Sequence, residues 1–145
     1  MKLTSEAFGN GEMIPSEYTC DGEDISPPLT ISDVPQNAKS LALIMDDPDA
    51  PMGTFVHWVV WNIPSDKSII TRGEELKEPQ GRTSFGKRSY GGPCPPGETH
   101  RYFFKLYALD TMLELEQGLP KSALEKAMTG HMIEKAELVG KYSRH

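Results

Sequence analysis

The sequence predicts one mainly β domain over residues 1–145, and three observations carry that expectation. Two stretches, residues 40–45 and 54–63, are apolar on both alternating sets of positions, the pattern of central strands covered on both faces, and residues 101–109 are expected as a third core strand. The 12 prolines and 13 glycines fall mostly between these stretches, where they punctuate turns. Only residues 121–129 have the composition of a clear helix, and no repeat, low-complexity tract or linker divides the chain.

In chain order, short strands bounded by turn residues are expected at residues 2–8 and 29–32. In 40–45, Leu41, Leu43 and Met45 alternate with Ala42 and Ile44. In 54–63, Phe55, Val59 and Trp61 alternate with Val56, Trp58 and Val60, and the aromatic and β-branched content favours strand. A further short strand is expected near residues 84–85, followed by the third core strand at 101–109. For the helix, Pro120 suits a first turn, Ala, Leu, Glu, Lys and Met fill the interior, and Gly130 can cap the end. Across 131–142, Met132, Ala136, Leu138 and Tyr142 share one strand face while Lys135, Glu137 and Lys141 share the other, so a closing strand is expected there instead of a second helix.

Length and charge bound the function. A chain of 145 residues can bury roughly 68–70% of its unfolded surface without a disulfide scaffold. Lys and Arg number 15 against 21 Asp and Glu, a net charge of −6, so the overall field repels nucleic acid and anionic lipid. Any anion must be held locally. Residues 1–11 lack the basic start and apolar core of a secretory leader, and no run approaches the roughly 18 apolar residues of a membrane span. The expected compartment is the cytoplasm.

Cys20 and Cys94 are the two cysteines, and neither lies in a metal-binding spacing, so neither metal nor cofactor is expected. Joined, they would close a loop of about 75 residues, worth about 4.5 kcal/mol on the chain-entropy model. Reduced, partly buried thiols are expected ahead of a bond.

The chemistry concentrates in Asp47-Pro48-Asp49-Ala50-Pro51, His57-Trp58, Gly91-Gly92-Pro93-Cys94-Pro95-Pro96 and His100-Arg101-Tyr102, all where expected strands meet rigid loops. Strict alternation puts His57 on the face of Phe55, Val59 and Trp61, either wedged in the core or at the mouth of a pocket. His100 and Tyr102, two apart, point to one side as potential donors to an anion, and Arg101 points to the other. The guanidinium is expected to grip a buried carboxylate, Asp49, in bidentate fashion and so hold the proline loop. Ala50-Pro51 can be cis, and Asp-Pro pairs also simply make turns. Carboxylates at the end of an apolar strand need partners, and a cluster of Asp47, His57 and His100 would supply them.

These motifs, with Tyr18-Thr19-Cys20-Asp21-Gly22, Ser26-Pro27-Pro28-Leu29, Tyr90 and the closing Ala136-Glu137-Leu138-Val139-Gly140, resemble the phosphatidylethanolamine-binding or Raf kinase inhibitor protein family, in its shorter bacterial and archaeal branch. The resemblance runs through nearly the whole chain. It implies an antiparallel β-sandwich with one or two short helices and a small anion pocket lined by Asp47, Pro51, His57, the loop at Cys94 and Pro96, His100 and Tyr102. It implies ligands of phosphate type, including phospholipid head groups, phosphorylated residues and acetate, and a homodimer. Relative to eukaryotic members, the loop between Pro96 and His100 is shorter and the additional C-terminal helix is missing.

Three function classes follow. The first is a non-catalytic binding protein that docks a phosphorylated group and regulates a partner such as a kinase or protease. The second is a hydrolase or other enzyme using the Asp and His residues. Here no G-x-S-x-G elbow or phosphate-cradling G-x-x-x-x-G-K occurs, which leaves Cys94 as the candidate nucleophile. The third is an assembly role through an exposed apolar patch.

Overall fold

A computed structural model of the chain describes residues 1–144. Seven strands form two antiparallel sheets. The first has three strands in the order β1 (Lys2–Thr4), β2 (Leu29–Ser32) and β5 (Ile69–Ile70). The second orders β4 (Phe55–Ile63), β3 (Ser40–Asp47), β6 (His100–Leu109) and β7 (Met132–Tyr142).

Every residue of β3 is buried, because both faces of the second sheet are covered. On the inner face Leu41, Leu43 and Met45 meet Trp58, Val60, Phe104 and Leu106, together with Leu3, Leu29, Ile31 and Ile70 of the first sheet. On the outer face Ala42 and Ile44 join Val59, Trp61, Tyr107 and Leu109 under Leu124 and Met128 of helix α1 (Lys121–Met128). The run of apolar residues on both alternating sets is thus a strand between two cores.

Several expectations change. The first strand ends at Thr4 instead of residue 8. Ser84 and Phe85 lie in a turn, with Gly86 N–H donating to the Thr83 carbonyl (2.9 Å) and the Ser84 hydroxyl accepting from Val56 N–H (2.8 Å). The Ile69–Ile70 strand and a 3₁₀ turn at Ser16–Tyr18 were not expected. All peptide bonds among the described residues are trans, Ala50-Pro51 included.

The most consequential change is in β4. Met45 pairs with Trp58 but Asp46 pairs with Val56, so His57 is the extra residue of a β-bulge. Strict alternation fails there: Val59 and Trp61 pack on the outer core, while the His57 ring lies against Tyr102 on the inner face. A second irregularity falls between Leu41 and Leu43, opposite Asn62 at φ 54°, whose side chain pairs with the backbone of Leu113.

Cys20 and Cys94 are joined by a disulfide, with Cα atoms 5.4 Å apart. The expectation of reduced thiols is overturned because the loops carrying them run side by side: Cys20 N–H donates to the Pro93 carbonyl (3.1 Å) and Tyr90 Oη donates to the Tyr18 carbonyl (2.7 Å). No helix among the described residues is long and apolar enough to cross a membrane.

Candidate functional site

One end of the second sheet gathers the end of β3, the starts of β4 and β6, and two proline loops. Asp47, Pro51, His57, Cys94, Pro96, His100 and Tyr102 all line one cavity of about 200 Å³. Ala50, Phe55, Phe85 and Pro95 complete its wall.

Asp47 is buried, and both its oxygens are engaged. Oδ2 meets His100 Nδ1 at 2.6 Å, and Oδ1 accepts the Asp49 N–H at 2.8 Å. The first contact orients the imidazole, leaving Nε2 as its remaining ring nitrogen. The second closes the turn into the proline loop.

His57 is also buried, with Nδ1 donating to the Gly91 carbonyl at 2.7 Å. In the neutral ring Nε2 is then an acceptor, and it becomes a donor only on protonation. Burial lowers the His57 pKa from its ordinary value, while the Gly91 carbonyl and the charge of Asp47 work against that shift. Tyr102 stands edge-on to His57, with ring centroids 5.2 Å apart, and stacks against His100. Burial, reinforced by the negative charge of Asp47, pushes its hydroxyl pKa well up, so it remains a neutral O–H. Phe55 and Phe85 close over His57 at 5.1 and 5.4 Å.

Arg101 lies on the opposite side of β6, as its position between His100 and Tyr102 requires. Its Nε and Nη2 donate to the two oxygens of Asp49 at 2.9 and 2.8 Å, and its backbone N–H adds a third bond to Oδ2. This fork lowers the Asp49 carboxyl to about 2, with burial opposing. Asp49 is only half-buried, which corrects the expectation of a buried carboxylate: the pair staples the loop from the solvent side.

The loop at 91–96 approaches its neighbours closely. A Cβ on Gly92 would collide with the Tyr18 carbonyl and Asp24 Oδ1, the atom that accepts the Gly92 N–H at 2.7 Å. A Cβ on Gly91 would enter the Phe85 ring. Phe85 and Asp24 were not singled out from sequence. A turn aromatic carries no periodicity, and an isolated Asp 68 residues from its partner gives no local signal.

Cys94, the candidate nucleophile, has no free thiol, because it is bonded to Cys20. Among the described residues, no group of three His, Cys, Asp or Glu side chains is arranged to hold a metal ion.

Two antiparallel sheets with a small acid, imidazole and phenol pocket at one end define a class of mainly β protein. The phosphatidylethanolamine-binding protein family model matches residues 4–143, and the chain belongs to that family. A UPF0098 protein of Pyrococcus abyssi is 51% identical over 153 aligned positions, covering 99% of this chain and 86% of the relative. A UPF0098 protein of Methanothermobacter thermautotrophicus is 50% identical, with 99% of each chain covered. Among solved structures, a phosphatidylethanolamine-binding protein homologue from Chlamydia trachomatis superposes with a TM-score of 0.97 at 46% identity, covering 99% of this chain and 97% of the other. YbcL of Escherichia coli superposes with a TM-score of 0.91 at 30% identity, covering 99% and 98%.

Proposed function

We propose that the protein is a non-catalytic receptor for a small anion or phosphate group, and that it regulates a kinase- or protease-type partner by docking a phosphorylated ligand in this pocket. The observation that carries the reading is the convergence of His57, His100 and the Tyr102 hydroxyl in one cavity. That hydroxyl has no hydrogen-bond partner among the described residues. With both Asp47 oxygens already engaged, the groups left to address a ligand are the two imidazoles and the phenol.

The electrostatics set the conditions of capture. Asp47 is anionic and the whole chain is acidic, so an anion is favoured only when an imidazole is protonated. Binding therefore takes up a proton and strengthens as pH falls. The apolar wall of Phe55, Phe85 and the prolines suits a ligand with an apolar body behind a charged head. A homodimer and a cytoplasmic location belong to the same reading, the latter only where the compartment leaves the Cys20–Cys94 bond oxidised.

The test is calorimetric titration with sulfate and with phosphoethanolamine at pH 6 and pH 8, using wild type and Tyr102→Phe. Sulfate keeps its charge across this window, so its slope reports on the protein. Tighter binding at pH 6 is expected, with a loss of roughly tenfold in Tyr102→Phe, the worth of one hydrogen bond to a charged acceptor. Sulfate affinity independent of both pH and the hydroxyl would rule the reading out.

A further inference from the structure

We infer that the Cys20–Cys94 bond is a redox modification site, reducible by a dithiol while the sheets stay folded, and that its reduction releases the pocket wall at residues 94–99 and weakens ligand capture. The last clause rests on the anion-binding reading; the release does not.

The argument starts from what holds the wall. Up to Pro93 the loop is well tied: Gly91 N–H donates to the His57 carbonyl (3.0 Å), Gly92 N–H to Asp24, and Cys20 N–H to the Pro93 carbonyl. From Cys94 to Thr99, among the described residues, neither backbone nor side chains make a hydrogen bond, until His100 enters the ladder opposite Tyr142. Three of these six residues, Cys94, Pro95 and Pro96, are pocket wall. Their one covalent cross-link is the bond to Cys20. Pro95 is buried, but Pro96 and Gly97 border a separate cleft of about 490 Å³, so the segment has room to move when the bond is cut.

The bond is also reachable. Cys94 is exposed and Cys20 is half-buried, so an attacking thiolate need not open either core. In the reaction, a thiolate of the dithiol attacks one sulfur of the pair, forming a mixed disulfide and expelling the other sulfur as thiolate. The reductant's second thiol then attacks its own first sulfur in the mixed disulfide and expels the remaining protein cysteine as thiolate. The reductant leaves as a disulfide having given up two electrons, and the protein gains those electrons and two protons as two thiols. Neither cysteine lies in β3, β4, β6 or β7, so the second sheet keeps its register. Linkage makes the effect reciprocal: an anion in the pocket must favour the oxidised form by the factor that oxidation favours the anion.

The experiment compares oxidised wild type, wild type reduced with dithiothreitol, and Cys20→Ser, by amide hydrogen exchange and by titration with phosphoethanolamine at pH 6. In the reduced protein and the variant, the Cys20 and Gly92 amides are expected to exchange faster while those of β3 and β6 stay protected, and affinity to fall about fivefold or more, the lower range of coupling between sites. Unchanged exchange at Cys20 and Gly92, or no reduction under native conditions, overturns the inference. So does loss of protection throughout β3 and β6, which makes the bond a global staple. If Cys20→Ser does not fold, reduced wild type decides the matter alone. If the oxidised protein binds no phosphoethanolamine, the anion-binding reading fails, and the exchange measurement still decides whether the wall is released.

Discussion

His57 shows how one side chain couples stability to ligand capture. An unfolded histidine titrates near 6.5, and burial holds His57 below that value in the fold. Below about pH 6.5 the unfolded chain therefore binds more protons than the native one. The contribution of a neutral His57 is fully present above that pH and is lost as pH falls towards the lower folded value. Urea midpoints are expected to drop between pH 7 and pH 5, and to drop less in His57→Leu. A bound anion acts in the opposite sense by stabilising the imidazolium, so sulfate at pH 5.5 should restore part of the lost stability in wild type and not in the variant. Asp49 has the same sign as His57 in a lower window: held down to about 2 by Arg101, its pairing is fully present above the ordinary carboxylate value and is lost only as pH falls from there towards about 2. His100 differs again. Its partner Asp47 is buried, so His100→Ala leaves a carboxylate oxygen without its hydrogen-bond donor and is expected to cost roughly 1–3 kcal/mol in denaturant unfolding. Tyr102→Phe, in contrast, should leave stability nearly unchanged.

Among the elements, β3 carries the fold and β4 aims the site. Leu43 is fully buried at the middle of the inner face, so Leu43→Ala is expected to lose about 2–5 kcal/mol in urea unfolding, whereas Met132→Ala on exposed β7 should stay within about 0.5 kcal/mol. The double-sided apolar pattern of residues 40–45 made β3 legible, because burial on both faces leaves its mark on every residue. The parity of His100, Arg101 and Tyr102 was equally legible, since β6 keeps an unbroken register with β7 from His100 to Ala108. In β4 the same rule broke down. The bulge at His57 moves one ring to the inner face, and a single inserted residue in a run of apolar side chains leaves no period to detect. The wall residue Phe85 and Asp24, which holds the Gly92 N–H behind the wall, were hidden for a different reason: long loops bring them in, and their partners lie far away in sequence.

For the molecule as a whole, the disulfide adds a restraint that composition did not call for. It spans a sequence separation of 74, and on the chain-entropy model contributes about 4.5 kcal/mol by restricting the unfolded chain. Reduction is therefore expected to lower Tm by roughly 10 °C or more, measured by calorimetry with and without dithiothreitol, while circular dichroism at 25 °C stays native. Cysteine spacing alone could not reveal the bond, because what brings Cys20 and Cys94 together is the packing of the loop after Tyr18 against the loop after Tyr90. At this scale net charge also matters: a −6 molecule draws no anion from a distance, so selectivity rests on the pocket alone.

The most direct test of that pocket is an NMR titration of the His57 and His100 imidazole resonances with phosphoethanolamine, in wild type and Tyr102→Phe. Saturable shifts of both rings, with the His57 titration moved to higher pH by the ligand and the response weakened in the variant, are the predicted result. Resonances that ignore the ligand at every pH would contradict it and leave Asp47, His57, His100 and Tyr102 as polar packing at the end of a sheet.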